Sequence, residues 1–223
     1  MSLIKKAKRS NIPLKLGVRG ASGSGKTYSS ILLAKGLMGG SLSDVVILDT
    51  ENASANLYAD LGDYGVLPFE PPFTPDRYSK AIEYCAKEGV KCLIIDSISH
   101  EWQACLDMVT KIGGNSFTAW KTVTPKHDAF ITSILQAPMH VICTMRTKDD
   151  YVLEENFKGK MMPKKVGMKE VQRDNLIYEF TAVFDIDNRH LATMNKDRTN
   201  LFSDEVPFSI TEETGKQIAE WNK

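Results

Sequence analysis

The sequence lacks most features that would narrow a function at once. It has no excess of either charge, since 28 lysines and arginines balance 28 aspartates and glutamates. A charged partner must therefore be met by local clustering, not by the surface as a whole. It has no paired cysteines: Cys85, Cys92, Cys105 and Cys143 form no C-x-x-C, and each falls in a stretch of helix or strand character. That pattern argues against a disulfide frame or a cysteine zinc site and predicts buried free thiols in a reducing compartment. Its four histidines, His100, His127, His140 and His190, show no metal-ligand spacing. No apolar run approaches the ~20 residues of a membrane span, so no membrane partner is expected. The opening "MSLIKKAKRSNIP" is basic, with no signal-peptide stretch behind it. Repeats and low-complexity linkers are absent too. The expectation is a soluble intracellular protein with a basic arm over 1–13 and one domain over 14–223.

What is present is sharper. "GASGSGKT", residues 20–27, follows the apolar run "LKLGV" and fits G-x-x-x-x-G-K-[ST] at Gly20, Gly25, Lys26 and Thr27. The small residues Gly20, Ala21, Ser22, Gly23, Ser24 and Gly25 let successive backbone N–H groups turn inward around a phosphate. Lys26 can reach the β- and γ-phosphates, and the Thr27 hydroxyl can ligate Mg²⁺. From Lys26 through Tyr28 the pattern becomes helical, "KTYSSILLAKGL", which aims a positive helix end at the phosphates. This is a P-loop, and it implies ATP and Mg²⁺ as cofactors.

Strand and helix signals alternate from residue 14 to about 146, the signature of a parallel sheet covered on both faces. "DVVILDTE" (44–51), "KCLIID" (91–96) and "HVICTM" (140–145) read as buried strands, and "YGVLPFE" as a weaker one. "TPDRYSKAIEYCAKEG" and "SISHEWQACLDMVTKI" read as helices ending at Gly89 and Gly113–Gly114. In "AWKTVTPKHDAFITSILQA", Pro125 either interrupts a helix or marks its start. Residues 147–175 form a Lys-rich loop or hairpin without steady periodicity, in which Met161, Met162 and Met168 read as packing. "TAVFDID" and "HLATMN" predict an antiparallel hairpin on the sheet edge. "TEETGKQIAEW" predicts a terminal helix capped by Thr211.

Two carboxylates decide what the cradle could do. Asp96 closes a buried apolar strand, where P-loop folds hold Mg²⁺ or its water. Glu51 lies just past the tip of another strand, placed to polarise a water in line with the γ-phosphate. Asp49 competes for that role or bonds to neighbouring backbone. His100, four residues past Asp96, either touches the attacking water and relays nucleotide state or packs beside Trp102.

Together "GASGSGKT", "VVILDTENASA", "KCLIIDSISHEW", "HVICTMRTK" and "NKDRTNLF" resemble the RecA-like ATPases in order and spacing. The resemblance is strongest to the compact phage proteins of the Sak single-strand-annealing type, over about residues 14–208. It implies an α/β RecA-like P-loop NTPase with a mostly parallel sheet flanked by helices and a C-terminal antiparallel hairpin on its edge. It implies Glu51 as the catalytic glutamate. At "CTMRTK" the sequence departs from RecA, which has a γ-phosphate-sensing Gln there. Met145 cannot serve as one, leaving Thr144 or Arg146.

The resemblance also implies two DNA-binding loops, matched by "KIGGNSFTAW" (111–120) and by Thr147 to about Gln172. Phe117 and Trp120 offer rings for stacking, and Lys158, Lys160, Lys164, Lys165 and Lys169 offer cations for phosphates. A solvated Lys-rich hairpin is the plainer reading of the same residues. Lys196 and Arg198, two apart on a strand, match the cation pair that in RecA-like filaments reaches a neighbouring subunit's γ-phosphate. The expected function is an ATP-binding and ATP-hydrolysing protein of a bacterial cell or phage-infected host. It would act on single-stranded DNA in recombination or annealing, in self-associated form. The alternatives are a small-molecule phosphotransferase with a Lys-rich lid, and an annealing module whose nucleotide is structural.

Overall fold

The computed structural model describes residues 6, 11–155, 161–173, 176–203 and 205–223, giving for 149–155 and 161–168 the course of the strands alone. Eight strands form one sheet: β1 (Lys15–Gly20), β2 (Val45–Asp49), β3 (Gly65–Pro68), β4 (Cys92–Asp96), β5 (His140–Glu155), β6 (Met161–Glu170), β7 (Ala182–Ile186) and β8 (Ala192–Asp197). Their order is β3-β2-β4-β5-β1-β7-β8, with β6 paired to β5 beyond the main sheet. β1, β2, β3, β4, β5 and β7 pair in parallel, while β5–β6 and β7–β8 are antiparallel hairpins.

The β-branched runs form this sheet because both of its faces are covered. Along β4, Cys92 and Ile94 face α1 (Lys26–Leu37) and α5 (Glu212–Trp221), and Leu93 and Ile95 face the opposite core. That second core is closed by α2 (Pro75–Lys87) and α4 (Ser116–Gln136). Each fully buried Leu or Ile stabilises the fold by roughly 1.5–3 kcal/mol. All four cysteines are free and buried, as expected, and burial pushes the Cys92 and Cys143 thiols up to about 12. Thr211 caps α5 through a reciprocal capping box with Thr214.

Two sequence expectations need correction. Pro125 neither starts nor interrupts a helix but lies inside the 21-residue α4, whose N-cap is Asn115. Pro125 and Lys121 are both exposed, so water can satisfy the Lys121 carbonyl that the proline leaves unbonded. Consequently 111–120 is not a loop: α3 (Ser99–Ile112) and α4 leave only 113–115 between them. Of the two readings for the Lys-rich segment, the hairpin holds: 147–155 continue β5 and pair with β6, with a bulge at Asp150/Tyr151. Among the described residues no helix is long and apolar enough to cross a membrane.

Candidate functional site

The sheet order brings the site together. β1 and β4 flank β5, so the C-terminal ends of β1 and β4 present Gly20 and Asp96 on either side of Arg146, the last β5 residue paired with β1. At Gly20 the backbone is so close that an added Cβ would meet the Ile186 carbonyl at 2.6 Å. Gly25 ends the loop at φ 90°, a left-handed turn that delivers the chain into α1. The first-turn amides of α1 have no intrahelical acceptor and so are free for an anion. Ser24 Oγ is buried against Gly20 without a hydrogen-bond partner among the described residues. Lys26 Nζ donates to the Ala21 carbonyl at 2.8 Å, folded over the loop. Burial lowers its pKa, against the opposing pull of Asp96 and Glu51.

A cavity of about 530 Å³ opens here, lined by Ser22, Gly23, Gly25, Lys26, Thr27 and Tyr28 from the cradle and by Glu51, Asp96 and Arg146 from the strand ends. Its volume lies in the range of small-molecule sites, so the residues fit a nucleotide. At one wall Thr27 Oγ1 donates to Asp96 Oδ2, and Thr144 Oγ1 donates to Asp96 Oδ1. Asp96 is 2 % exposed, and burial raises its pKa despite both hydroxyls. Thr27 and Asp96, with oxygens already in contact, are the pair that could hold Mg²⁺.

Glu51 stands opposite. Asp49, its rival, accepts from the Glu51 and Ala55 amides at 2.7 and 2.9 Å and so holds the strand-end turn instead. Glu51 Oε1 accepts from Arg146 Nε at 3.0 Å and from Ser97 Oγ at 3.3 Å, and Arg146 Nη2 reaches Oε2. Burial would raise the Glu51 pKa, but the guanidinium fork and His100 outweigh it and hold the pKa low. His100 stacks on Phe73 at 4.9 Å and sets Nδ1 2.7 Å from Thr50 Oγ1. Its Nε2 lies 4.0 Å from Glu51. Burial and Arg146 lower its pKa, so at neutral pH this is a contact with a neutral ring and not an ion pair.

A family model described as an AAA domain matches residues 12–205. The chain belongs to this AAA-domain family. It is a nucleotide-binding P-loop domain of the kind that is typically an ATPase. Among solved structures it is similar to a KaiC-like protein from the hyperthermophilic archaeon Pyrococcus horikoshii OT3. The two share 18% identity at a TM-score of 0.50, covering 90% of this chain and 88% of the other. At that identity the likeness concerns the fold. No curated protein matches the chain.

The remaining site candidates of this AAA-family chain are dispersed. Phe117, on the first turn of α4, is 80 % exposed, whereas Trp120 stacks on Trp102 with ring centroids 5.4 Å apart. Trp102 stacks there on Trp120, while the His100 ring stacks on Phe73. Lys164, Lys165 and Lys169 lie on β6, while Lys158 and Lys160 fall outside the described residues. Met161, Met162 and Met168 also lie on β6, where only the strand's course is described. Lys196 and Arg198 both reach the Tyr178 carbonyl on the edge of the sheet, and neither lines the cavity among the described residues.

Sequence reading missed several residues. Ser54, Tyr58, Ser209 and Ile210 line the cavity from distant segments. His190, on the β7–β8 turn, lies with Nδ1 3.0 Å from the Ser24 carbonyl. No local pattern announces these, because only the sheet order brings them to the P-loop. Spacing also hid a buried group in which Glu101, Cys105 and His127 lie within 4.8 Å of one another. Cys105 Sγ and His127 Nδ1 each approach Glu101 Oε1 at 3.1 Å, and Gln172 Nε2 donates to the Ile98 carbonyl at 3.2 Å beside it. Hydrogen bonds thus satisfy the cluster and tie α3 to α4 and to the return of the β5–β6 hairpin.

Proposed function

We propose that the chain hydrolyses ATP and couples that hydrolysis to single-stranded DNA in recombination or annealing, the role that its resemblance to Sak-type phage proteins implies. The observation that carries the ATPase reading is the meeting of four groups in one cavity: Lys26, the Thr27–Asp96 pair, Glu51 and the free amides of α1. Lys26 and the amides hold the phosphates. Thr27 and Asp96 would hold Mg²⁺, which neutralises charge on the β- and γ-oxygens. Glu51 orients and polarises the attacking water, a general-base role worth about a hundredfold or more.

Support for DNA lies on the hairpin. In the β5–β6 register Lys148 pairs with Lys169, Tyr151 with Lys165 and Val152 with Lys164. Cations gathered along one hairpin suit a polyanion. Lys148, Lys169 and Arg173 border a groove of about 610 Å³ beside Trp102. Lys196 and Arg198 would act on a neighbour's γ-phosphate after releasing the Tyr178 carbonyl, so self-association belongs to the same proposal. ATP turnover measured with and without single-stranded DNA tests it. Stimulation by DNA is the expected result. Turnover only with a small acceptor would favour a phosphotransferase, and no turnover a structural nucleotide.

A further inference from the structure

Three residues that the nucleotide cavity does not use meet in the core between α3 and α4. Glu101 and Cys105 are four apart on α3, so one face of that helix carries both, and His127 reaches them from α4. All three are buried, Glu101 and Cys105 completely. Cys105 Sγ and His127 Nδ1 converge on one atom, Glu101 Oε1, at 3.1 Å each, and His127 Nδ1 is 3.2 Å from Oε2. Among the described residues no lysine or arginine nitrogen is hydrogen-bonded to Glu101. An enclosed carboxylate held by a thiol, an imidazole and an amide is short of positive charge.

We propose that Glu101, Cys105 and His127 bind a divalent transition ion, with zinc the ion their chemistry fits. Thiolate, imidazole and carboxylate are the side-chain ligands zinc accepts, at about 2.3, 2.0 and 2.1 Å. At those lengths the ligand atoms of a tetrahedral site stand about 3.5 Å apart. The contacts of 3.1 Å and the overall limit of 4.8 Å bracket that spacing. Binding releases the Cys105 thiol proton to solvent, and thiolate and carboxylate then balance the two charges of the ion. His127 stays neutral, ligating through Nδ1 with its proton on Nε2. A water or the second Glu101 oxygen fills the fourth position. The surroundings hold the ligands in place. Gln172 Nε2 lies 3.5 Å from Glu101 Oε2, and Trp102 and Phe130 pack on the His127 ring with centroids 5.3 and 6.4 Å away. Trp102 and Gln172 also line the groove of about 610 Å³, which brings solvent up to the outer wall of the cluster. An ion here would clamp α3 to α4, a structural role separate from the metal expected at Thr27 and Asp96.

Cobalt(II) is the probe, because its bond to a thiolate gives an intense near-ultraviolet charge-transfer band that oxygen and nitrogen ligands do not. The full chain, stripped of metal with chelator, should take up one cobalt with this band, and zinc should displace it. Cobalt held at Thr27 and Asp96 gives no such band, so the result is independent of the nucleotide reading. Gln172→Ala, which removes a supporting hydrogen bond, should weaken zinc binding by roughly tenfold, and Cys105→Ser by about a hundredfold or more with loss of the band. Cys85→Ala, at a buried thiol outside the cluster, should leave the band unchanged. Zinc should raise the urea midpoint of wild type and leave that of Cys105→Ser where it was. Should Cys105→Ser fail to fold, X-ray absorption of wild type loaded with one equivalent of zinc reads the ligands directly. One sulfur with nitrogen and oxygen neighbours is the expected shell. A missing band in wild type, a band that persists in folded Cys105→Ser, or a zinc shell with no sulfur or more than one would overturn the site.

Discussion

Asp96 and Glu51 lie on neighbouring strand ends, face one cavity, and are held in opposite ways. Asp96 is buried between two threonine hydroxyls, with no guanidinium or ammonium bonded to it among the described residues, and its pKa is raised. Glu51 is half-buried against the Arg146 fork, and its pKa is lowered. A buried carboxylate given only hydroxyl donors is short of positive charge, which suits it to a divalent cation. A carboxylate already paired to a cation has no such need. One acid awaits a cation, the other already holds one.

The sharpest way to break this comparison is to remove the cation both acids surround. Lys26→Ala should abolish nucleotide binding measured by calorimetry, because the lysine is the cradle's own side-chain cation. Unchanged ATP affinity in this variant would sink the cradle assignment for both acids at once.

Next in size is Glu51→Gln. It should retain ATP and lose about a hundredfold or more of turnover. Asp49→Asn should instead lower the melting temperature, since Asp49 accepts two backbone amides at the turn that carries Glu51. Normal hydrolysis in Glu51→Gln with lost hydrolysis in Asp49→Asn would reverse the assignment of the two acids.

The cradle and both acids were legible in sequence for a physical reason. A P-loop is written in eight consecutive residues, and a buried parallel strand announces its end by the first charge after an apolar run. Asp96 is such a charge, and Glu51 lies two residues past another, Asp49. The hairpin was legible only as one of two readings, because "TKDDYVLEE" has no apolar face of its own and becomes strand by pairing with β6. Trp120 was misplaced because Pro125 reads as a break, although an exposed proline can be accommodated within a helix. Arg146 was legible as a candidate at a strand end, but its engagement with Glu51, 95 residues earlier, was not. That contact exists only because β4 separates β2 from β5.

A smaller effect would show whether the site is finished in a second molecule. Arg198→Ala should bind ATP yet lose turnover, and specific activity should rise with protein concentration. Mixing Arg198→Ala with Glu51→Gln should recover part of the activity, since each supplies what the other lacks across a shared interface. The energetic cost is modest, because Arg198 rests on an exposed carbonyl that water can satisfy. Activity independent of concentration, with no recovery on mixing, would mark Lys196 and Arg198 as caps for the Tyr178 turn.

The smallest effect separates the two acids by the sign of a slope. Without metal or nucleotide, Asp96 has a folded-state pKa above its unfolded value, so burying its charge costs stability. The cost is absent below the unfolded value and appears as pH rises through the folded one. Asp96→Asn removes this titration, so its stability relative to wild type should climb over that interval. Glu51 runs the other way. Its depressed pKa gives stability that is present above the unfolded value and lost as pH falls through the folded one. Glu51→Gln should therefore be less stable than wild type near neutrality and converge with it in acid. Arg146→Ala should show the same convergence, because the fork overcomes the burial that would otherwise raise the Glu51 pKa. Urea midpoints of the three variants, compared with wild type from pH 3 to 7 in chelator, read both slopes. Two slopes of the same sign would mean that the carboxylates share one environment, and the contrast between an acid awaiting a cation and an acid holding one would fall.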